Sequence, residues 1–351
     1  MTLPINLSTG PVQLCTSVML AMAEPPISHR SAQFGRLFSA TKEILCREFQ
    51  TKDVYILSGS GTLANEVMMQ EIKQLPGQGL ILSNGEFGTR LMEQAYRNGL
   101  RFTAINEPWG NTFDIGSIAQ NLETGDFSWL LFCHCETSTG VINDLENITS
   151  LCEKQQCSCF VDCMSTVGTA PLNLSKVAMA TASSGKGLAS IPGLAIIFAN
   201  TLPIHKPSTP VYLDLAHYKS CDGIPFTLAS NLLKPLFVSI SRKLGQEQYD
   251  RSRVLAEKVH ALLSNEGLVP FAGKHSRVFT IILPEKREFP FMHSLNGILE
   301  LSGESDYLKK RGWKQLAIFG YYTENDVNNI EKGLTRALHT LSPGTGSLLA
   351  G

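Results

Sequence analysis

Short apolar runs alternate with longer amphipathic stretches from residue 54 to residue 198, and this alternation constrains the fold more than any other feature. Val54–Leu57, Leu80–Ser83, Phe102–Ile105, Trp129–His134, Ser158–Asp162 and Ala195–Phe198 have the length and apolar content of buried strands. Between them, Thr62–Gln74, Gly88–Gly99 and Leu145–Gln155 read as helices; for the first, Leu63, Val67, Ile72 and Leu75 are the apolar positions. Strand, helix, strand in this order requires crossover connections. The expectation is an α/β domain with a mostly parallel sheet covered on both faces.

The pattern changes at Pro203–Pro210, a proline-rich segment that must be a loop. A long helical region is predicted from about Leu228 to Asn265, and its second half, Glu247–Leu263, leads out of the first domain. Strands at Val278–Leu283 and Leu316–Phe319 and a last helix from Thr323 to Leu341 make a compact α+β unit. The division expected is an N-terminal segment 1–14, a large domain 15–254, a small C-terminal domain 255–341 and a tail 342–351. With 43 % apolar and 17 % charged residues the composition is globular, and a net charge of −1 without a basic run argues against nucleic acid. No apolar stretch reaches the roughly 18–20 residues of a membrane span, and the N-terminus has no signal-peptide pattern. The protein is therefore expected in the cytoplasm. Of nine cysteines, Cys133-x-Cys135 and Cys157-x-Cys159 are spaced too tightly for the usual zinc motifs. They read as small hydrophobes in strands, and no metal is expected.

Three motifs carry chemistry. Ser58-Gly59-Ser60-Gly61-Thr62 follows a strand and opens a helix, where glycines permit close backbone approach and free N–H groups favour a phosphate. Ser60 and Thr62 add hydroxyls. The same residues, Gly59-x-Gly61-x-x-Ala64, also fit a dinucleotide fingerprint. Asp162 ends an apolar strand, the usual station of a functional group in an α/β sheet, although a capping aspartate reads the same way. Lys186 lies among small residues, Ser183-Ser184-Gly185-Lys186-Gly187, ahead of an apolar run. Desolvation there would lower its pKa and make it a usable amine. Together the three meet the needs of pyridoxal phosphate (PLP): an anchor for the phosphate, a carboxylate for the pyridine nitrogen and an amine for the aldehyde.

With Gly10-Pro11, Asn84-Gly85-Glu86-Phe87-Gly88, His134–Gly140, Val161-Asp162, Ser183–Lys186 and Tyr212-Leu213-Asp214, the chain resembles the class V aminotransferases of PLP fold type I from about Leu7 to Leu338. It looks most similar to the alanine–glyoxylate, serine–pyruvate and 2-aminoethylphosphonate–pyruvate enzymes. The resemblance implies an aspartate-aminotransferase-like large domain with a small α+β domain, and a homodimer with its active sites at the interface. It implies that Lys186 forms the Schiff base and Asp162 pairs with the pyridinium. Phe87 matches the ring that stacks on the cofactor, and Met164 packs on its other face. Ser60, Gly61 and Thr62 match the phosphate cradle. Thr137 matches a hydroxyl near the ring oxygen, Ser183 belongs to the lysine segment, and Gly10 faces the substrate.

The departures concern the substrate. Gln315 stands where the family's late-strand arginine holds the substrate carboxylate, and a neutral amide cannot form that charged fork. Gly185 replaces the amide residue expected before the lysine, and Gly223 a hydroxyl expected from the neighbouring subunit. Arg311 is either a displaced handle or a surface charge. The leading expectation is an aminotransferase for a small amine or amino acid. A PLP lyase or decarboxylase, a non-catalytic PLP-binding protein and a nicotinamide dehydrogenase are the alternatives.

Overall fold

Alternation along Val54–Leu57 sets the layering: Val54 and Ile56 enter the core on one side of the sheet, and Tyr55 and Leu57 the core on the other. The computed structural model describes residues 5–265, 267–273, 276–282, 299–300 and 305–339. In chain order these form β1 (Ile5–Asn6), α1 (Thr16–Ala23), α2 (Ala32–Phe49), β2 (Asp53–Ser58), α3 (Gly61–Ile72), β3 (Gln78–Ser83), α4 (Glu86–Arg97) and β4 (Phe102–Asn106). Next come α5 (Ile115–Thr124), β5 (Phe127–Cys133), the small ribbon β6 (Cys135–Glu136) and β7 (Val141–Ile142), α6 (Leu145–Lys154), β8 (Ser158–Asp162), β9 (Met179–Ser183) and β10 (Leu194–Ala199). The chain ends with α7 (Leu215–Ser220), α8 (Ser230–Lys243), α9 (Gln246–Asn265), β11 (Val278–Ile282), β12 (Leu299–Glu300), α10 (Asp306–Arg311), β13 (Trp313–Ala317) and α11 (Glu324–His339).

The seven-stranded sheet has the order β2-β10-β9-β8-β5-β3-β4. Neighbours from β9 to β4 are parallel, whereas β10 is antiparallel to both β2 and β9. One core lies between the sheet and α2, α5, α6 and α8, with Phe34, Phe49, Ile118, Ile148 and Leu236 buried against it. The other lies beneath α3, α4 and α7, around Val67, Met68, Leu91 and Leu215. The parallel strands all end on one edge, and the connections leaving that edge carry the chemistry-bearing motifs.

Several boundaries differ from the sequence expectation. The helical region expected from Leu228 to Asn265 is two helices, because Gly245 (φ +138°) takes a backbone conformation that cannot continue α8. The late strand begins at Trp313 rather than Leu316, drawn in by antiparallel pairing from Val278↔Ala317 to Ile282↔Trp313. β9, with the sequence Met-Ala-Thr-Ala-Ser, lacks the bulky apolar run of a strand; its extended form is imposed by β8 and β10 on either side. Helices α1, α2 and α5 also escaped the periodicity reading. Ile5 and Leu7, in the N-terminal segment, are buried with Leu255, Val259, Phe279 and Leu316, so the first residues complete the core of the C-terminal elements. Leu283, Leu341 and the tail 342–351 lie outside the described residues.

Candidate active site

Four connections from the sheet edge converge on a cavity of ≈ 690 Å³. The turn after β2 supplies Ser60 and Gly61, the N-terminus of α4 supplies Glu86, Phe87 and Arg90, and the segment after β9 supplies Ser183, Gly185 and Lys186. Thr137 follows β6. Thr9, Gly10 and Pro11 close one side, and Ser305, Asp306 and Tyr307 at the start of α10 close another.

Ser60 is the N-cap of α3, yet its side chain makes no capping hydrogen bond. Its hydroxyl and the first N–H groups of a 12-residue helix therefore face the cavity without an intrahelical duty. Gly61 lets the turn pack closely on Met164, whose Sδ would lie 2.5 Å from a Cβ at this position. Beside this turn, the Asp162 carboxylate is buried. It accepts from Asn65 Nδ2 at 2.8 Å and from the Met164 N–H at 2.9 Å. Asn65 is itself oriented by the Thr181 hydroxyl, which donates to its Oδ1 at 2.6 Å. Burial pushes the Asp162 carboxyl above its ordinary range, opposed by those two donors and by the Lys186 charge.

Lys186 Nζ lies 3.3 Å from Ser165 Oγ and 5.3 Å from the centroid of the Phe87 ring. Ser165 in turn pairs with the Thr137 hydroxyl. Desolvation lowers the lysine's pKa, with Asp162 the largest opposing influence. The Phe87 ring is positioned by a residue no motif singled out as functional. Glu136, fully buried, accepts from the Phe87 N–H (3.1 Å), the Gly88 N–H (3.0 Å) and the Ser138 N–H and hydroxyl, so its carboxylate caps α4. Tyr307 meets Phe87 edge-on, with ring centroids 6.1 Å apart.

Of the residues singled out by sequence, Gly10, Ser60, Gly61, Phe87, Thr137, Ser183 and Lys186 line the cavity. Asp162 and Met164 are packed behind it, Met164 against Gly61. Thr62 is exposed and is not part of the lining. Gln315 is 1 % exposed and likewise does not line the cavity. Its Nε2 donates to the carbonyl of Thr137 (2.6 Å) and to Thr280 Oγ1 (2.7 Å), and its Oε1 accepts from the Tyr307 hydroxyl (3.2 Å). Arg311 lies over Trp109, 3.7 Å from the ring centroid, and beside Trp313 at 5.4 Å, away from the cavity lining. Gly223 borders a separate polar cavity with Lys42, Asp53 and Tyr55. The nine cysteines are free, and among the described residues no cluster of His, Cys, Asp or Glu is arranged to hold a metal.

Asn65, Ser165, Glu136, Arg90 and Tyr307 were not legible as site residues. Asn65 lies one turn into α3 behind the glycine motif, and Ser165 three residues beyond Asp162; position relative to a motif was the only signal for either. A family model described as "Aminotransferase class-V" matches residues 13–209. The soluble hydrogenase 42 kDa subunit of Anabaena cylindrica is 28 % identical over 340 residues, covering 91 % of this chain and 88 % of that protein. Alanine–glyoxylate aminotransferase of Rattus norvegicus is 27 % identical over 282 residues, 75 % of this chain and 68 % of that protein. The structure of ureidoglycine–glyoxylate aminotransferase of Bacillus subtilis superimposes with a TM-score of 0.86 at 23 % identity, over 98 % of this chain and 95 % of that one, a likeness of fold.

Proposed function

The chain belongs to the class-V aminotransferase family, and on that premise we propose that it uses pyridoxal phosphate, held by Lys186, to move an amino group between a small amine or amino acid and a keto acid. The observation that carries this reading is the convergence of a desolvated lysine, an aromatic face and an uncommitted helix N-terminus on one cavity, with a buried, hydrogen-bonded carboxylate behind it. These residues fit the cofactor. When bound, it supplies an aldehyde that captures the donor's amine and a ring that accepts the electron pair left at the donor carbon.

The chain's own groups divide the remaining work. Ser60 and the first N–H groups of α3 suit the phosphate. Asp162, whose charged form Asn65 and the Met164 N–H favour against the burial that opposes it, suits a protonated ring nitrogen. Phe87, fixed by the Glu136 cap, offers a flat apolar face. Lys186 Nζ, its pKa lowered by burial, can take a proton from the donor carbon and would deliver it to the cofactor's former aldehyde carbon, with Ser165 Oγ holding the amine in place. The substrate class proposed is that of the alanine–glyoxylate or 2-aminoethylphosphonate type with an altered carboxylate site, since the Gln315 amide is engaged in the wall. A homodimer is proposed on the exposed apolar residues Met19, Leu20 and Met22 of α1. Among the described residues no helix is long and apolar enough to cross a membrane, and nine free cysteines support a reducing compartment such as the cytoplasm.

The test is to load the protein with pyridoxal phosphate, reduce it with borohydride and map the labelled peptide. Label on Lys186, followed by loss of the cofactor's visible band when amine donors are added before reduction, is the expected result. Label on another lysine, or no label, overturns the assignment.

A further inference from the structure

Charge recognition is the part of the reaction that the Gln315 network leaves open. Among the described residues that line the cavity, four are acids or bases that carry charge, Glu86, Arg90, Lys186 and Asp306, beside the phenol of Tyr307. Lys186 is committed to the cofactor in the reading above, on which this inference rests. Glu86 and Asp306 are acids. Arg90 is then the one guanidinium in the lining.

Its position suits a substrate acid. Arg90 Cζ lies 5.0 Å from the Phe87 centroid and Lys186 Nζ 5.3 Å from the same centroid, so one ring is flanked by the reacting amine and by a guanidinium. The side chain is 45 % exposed, and its salt bridge is a single contact to Glu86 at 3.3 Å on the same helix. Exposed pairs of this kind are held weakly, and one contact occupies one of five N–H donors.

We infer that Arg90 is the acid-recognising side chain of this site, taking the carboxylate or phosphonate of the donor and of the keto-acid acceptor. The anion handle has thus moved from the late strand to the first turns of α4. An oxyanion at Arg90 could also be the cofactor's own phosphate, and the measurements separate the two.

The experiment compares the holoenzyme with Arg90→Gln and Arg90→Lys. Propionate, an acid that cannot react, is titrated in while the cofactor's absorption is followed, and pyridoxal-phosphate affinity is measured on the cofactor-free proteins. In parallel, kcat/KM is measured for alanine and for propylamine. Propionate affinity is expected to fall about ten- to hundredfold in Arg90→Gln, the range of a lost charge-assisted contact, and to recover partly in Arg90→Lys. The ratio of alanine to propylamine kcat/KM should fall by the same factor, through KM more than kcat. Cofactor affinity should stay within about threefold, as one mutated contact outside the phosphate cradle implies. Equal propionate affinity in all three proteins, or no propionate response in the wild type, overturns the inference. So does a matching loss of cofactor affinity, which assigns Arg90 to the phosphate. Failure of every donor to react with an intact propionate response would instead refute the aminotransferase reading and leave Arg90 as an acid-binding residue.

Discussion

Asn65→Leu tests the carboxylate beneath the cavity most directly. The substitution conserves shape but removes the Nδ2 donor 2.8 Å from Asp162 and the acceptor of the Thr181 hydroxyl. Losing the charge-assisted bond costs about 1.5–3 kcal/mol, and the stranded hydroxyl adds a part of the roughly 1–3 kcal/mol for an unpaired buried group. About 2–4 kcal/mol is expected in all. With an unfolding entropy of about 0.7 kcal/mol/K for a chain of this length, the cofactor-free protein should melt about 3–5 °C lower. The loss should depend on pH in a definite direction. Asp162's folded pKa already stands above its unfolded value because of burial, and removing Asn65 raises it further. A carboxyl raised on folding contributes its stability at low pH and loses it as pH rises through the folded value. The deficit of Asn65→Leu is therefore largest at neutral pH and shrinks toward the ordinary carboxylate range. Calorimetry from pH 4.5 to 8 on the wild type, Asn65→Leu, Asp162→Asn and the double variant measures both effects. In the Asp162→Asn background the second substitution should cost less, since no charge remains to be served. A deficit independent of pH, with strictly additive variants, would refute the claim that Asn65 acts through the carboxylate.

Gly61→Ala should fold with little change, because the flexible Met164 side chain can yield to a Cβ placed 2.5 Å from its sulfur. Cofactor affinity, measured by titration of the cofactor-free protein, should fall about tenfold, the worth of one disturbed hydrogen bond; unchanged affinity would remove Gly61 from the cradle. Gln315→Leu strands the Tyr307 hydroxyl and the Thr137 carbonyl, whereas the Thr280 hydroxyl keeps its bond to the Ser138 carbonyl. It should cost at least about 2 kcal/mol in denaturant unfolding, from two unpaired buried groups, and a neutral outcome would contradict the network. Lys243 is buried, donates to the Gly320 carbonyl at 2.9 Å, and has its pKa lowered to about 7 by burial and by Arg277. An amine lowered on folding makes stability rise with pH between its folded and unfolded values. Lys243→Met should flatten that rise between pH 7 and 10, and an unchanged slope in pH-dependent melting would show that another group causes it.

Hydrophobic period alone determined the α/β layering, because Val54–Leu57 and the runs after it bury both faces of a sheet whatever their neighbours. The three chemistry-bearing motifs were legible for a related reason. A glycine–serine turn, a strand-end aspartate and a lysine among small residues are local patterns whose meaning lies in backbone geometry and desolvation. Tertiary structure decided what depends on partners distant in sequence. Met179–Ser183 is a strand only because two strands flank it. Ile5 and Leu7 belong to the core of the C-terminal elements although the whole large sheet intervenes in sequence. Gln315 reads from sequence as a gap in a carboxylate site. Folded, it is a buried amide tying Thr137, Thr280 and Tyr307 together. Arg90 reads as an ordinary charge in a helix, and its place beside Phe87 in the cavity exists only once Glu136 has capped α4 and α10 has closed the far wall. Local pattern encodes which element forms and which face it buries. Long-range hydrogen bonds and packing, which no window of sequence contains, encode which side chains share a cavity.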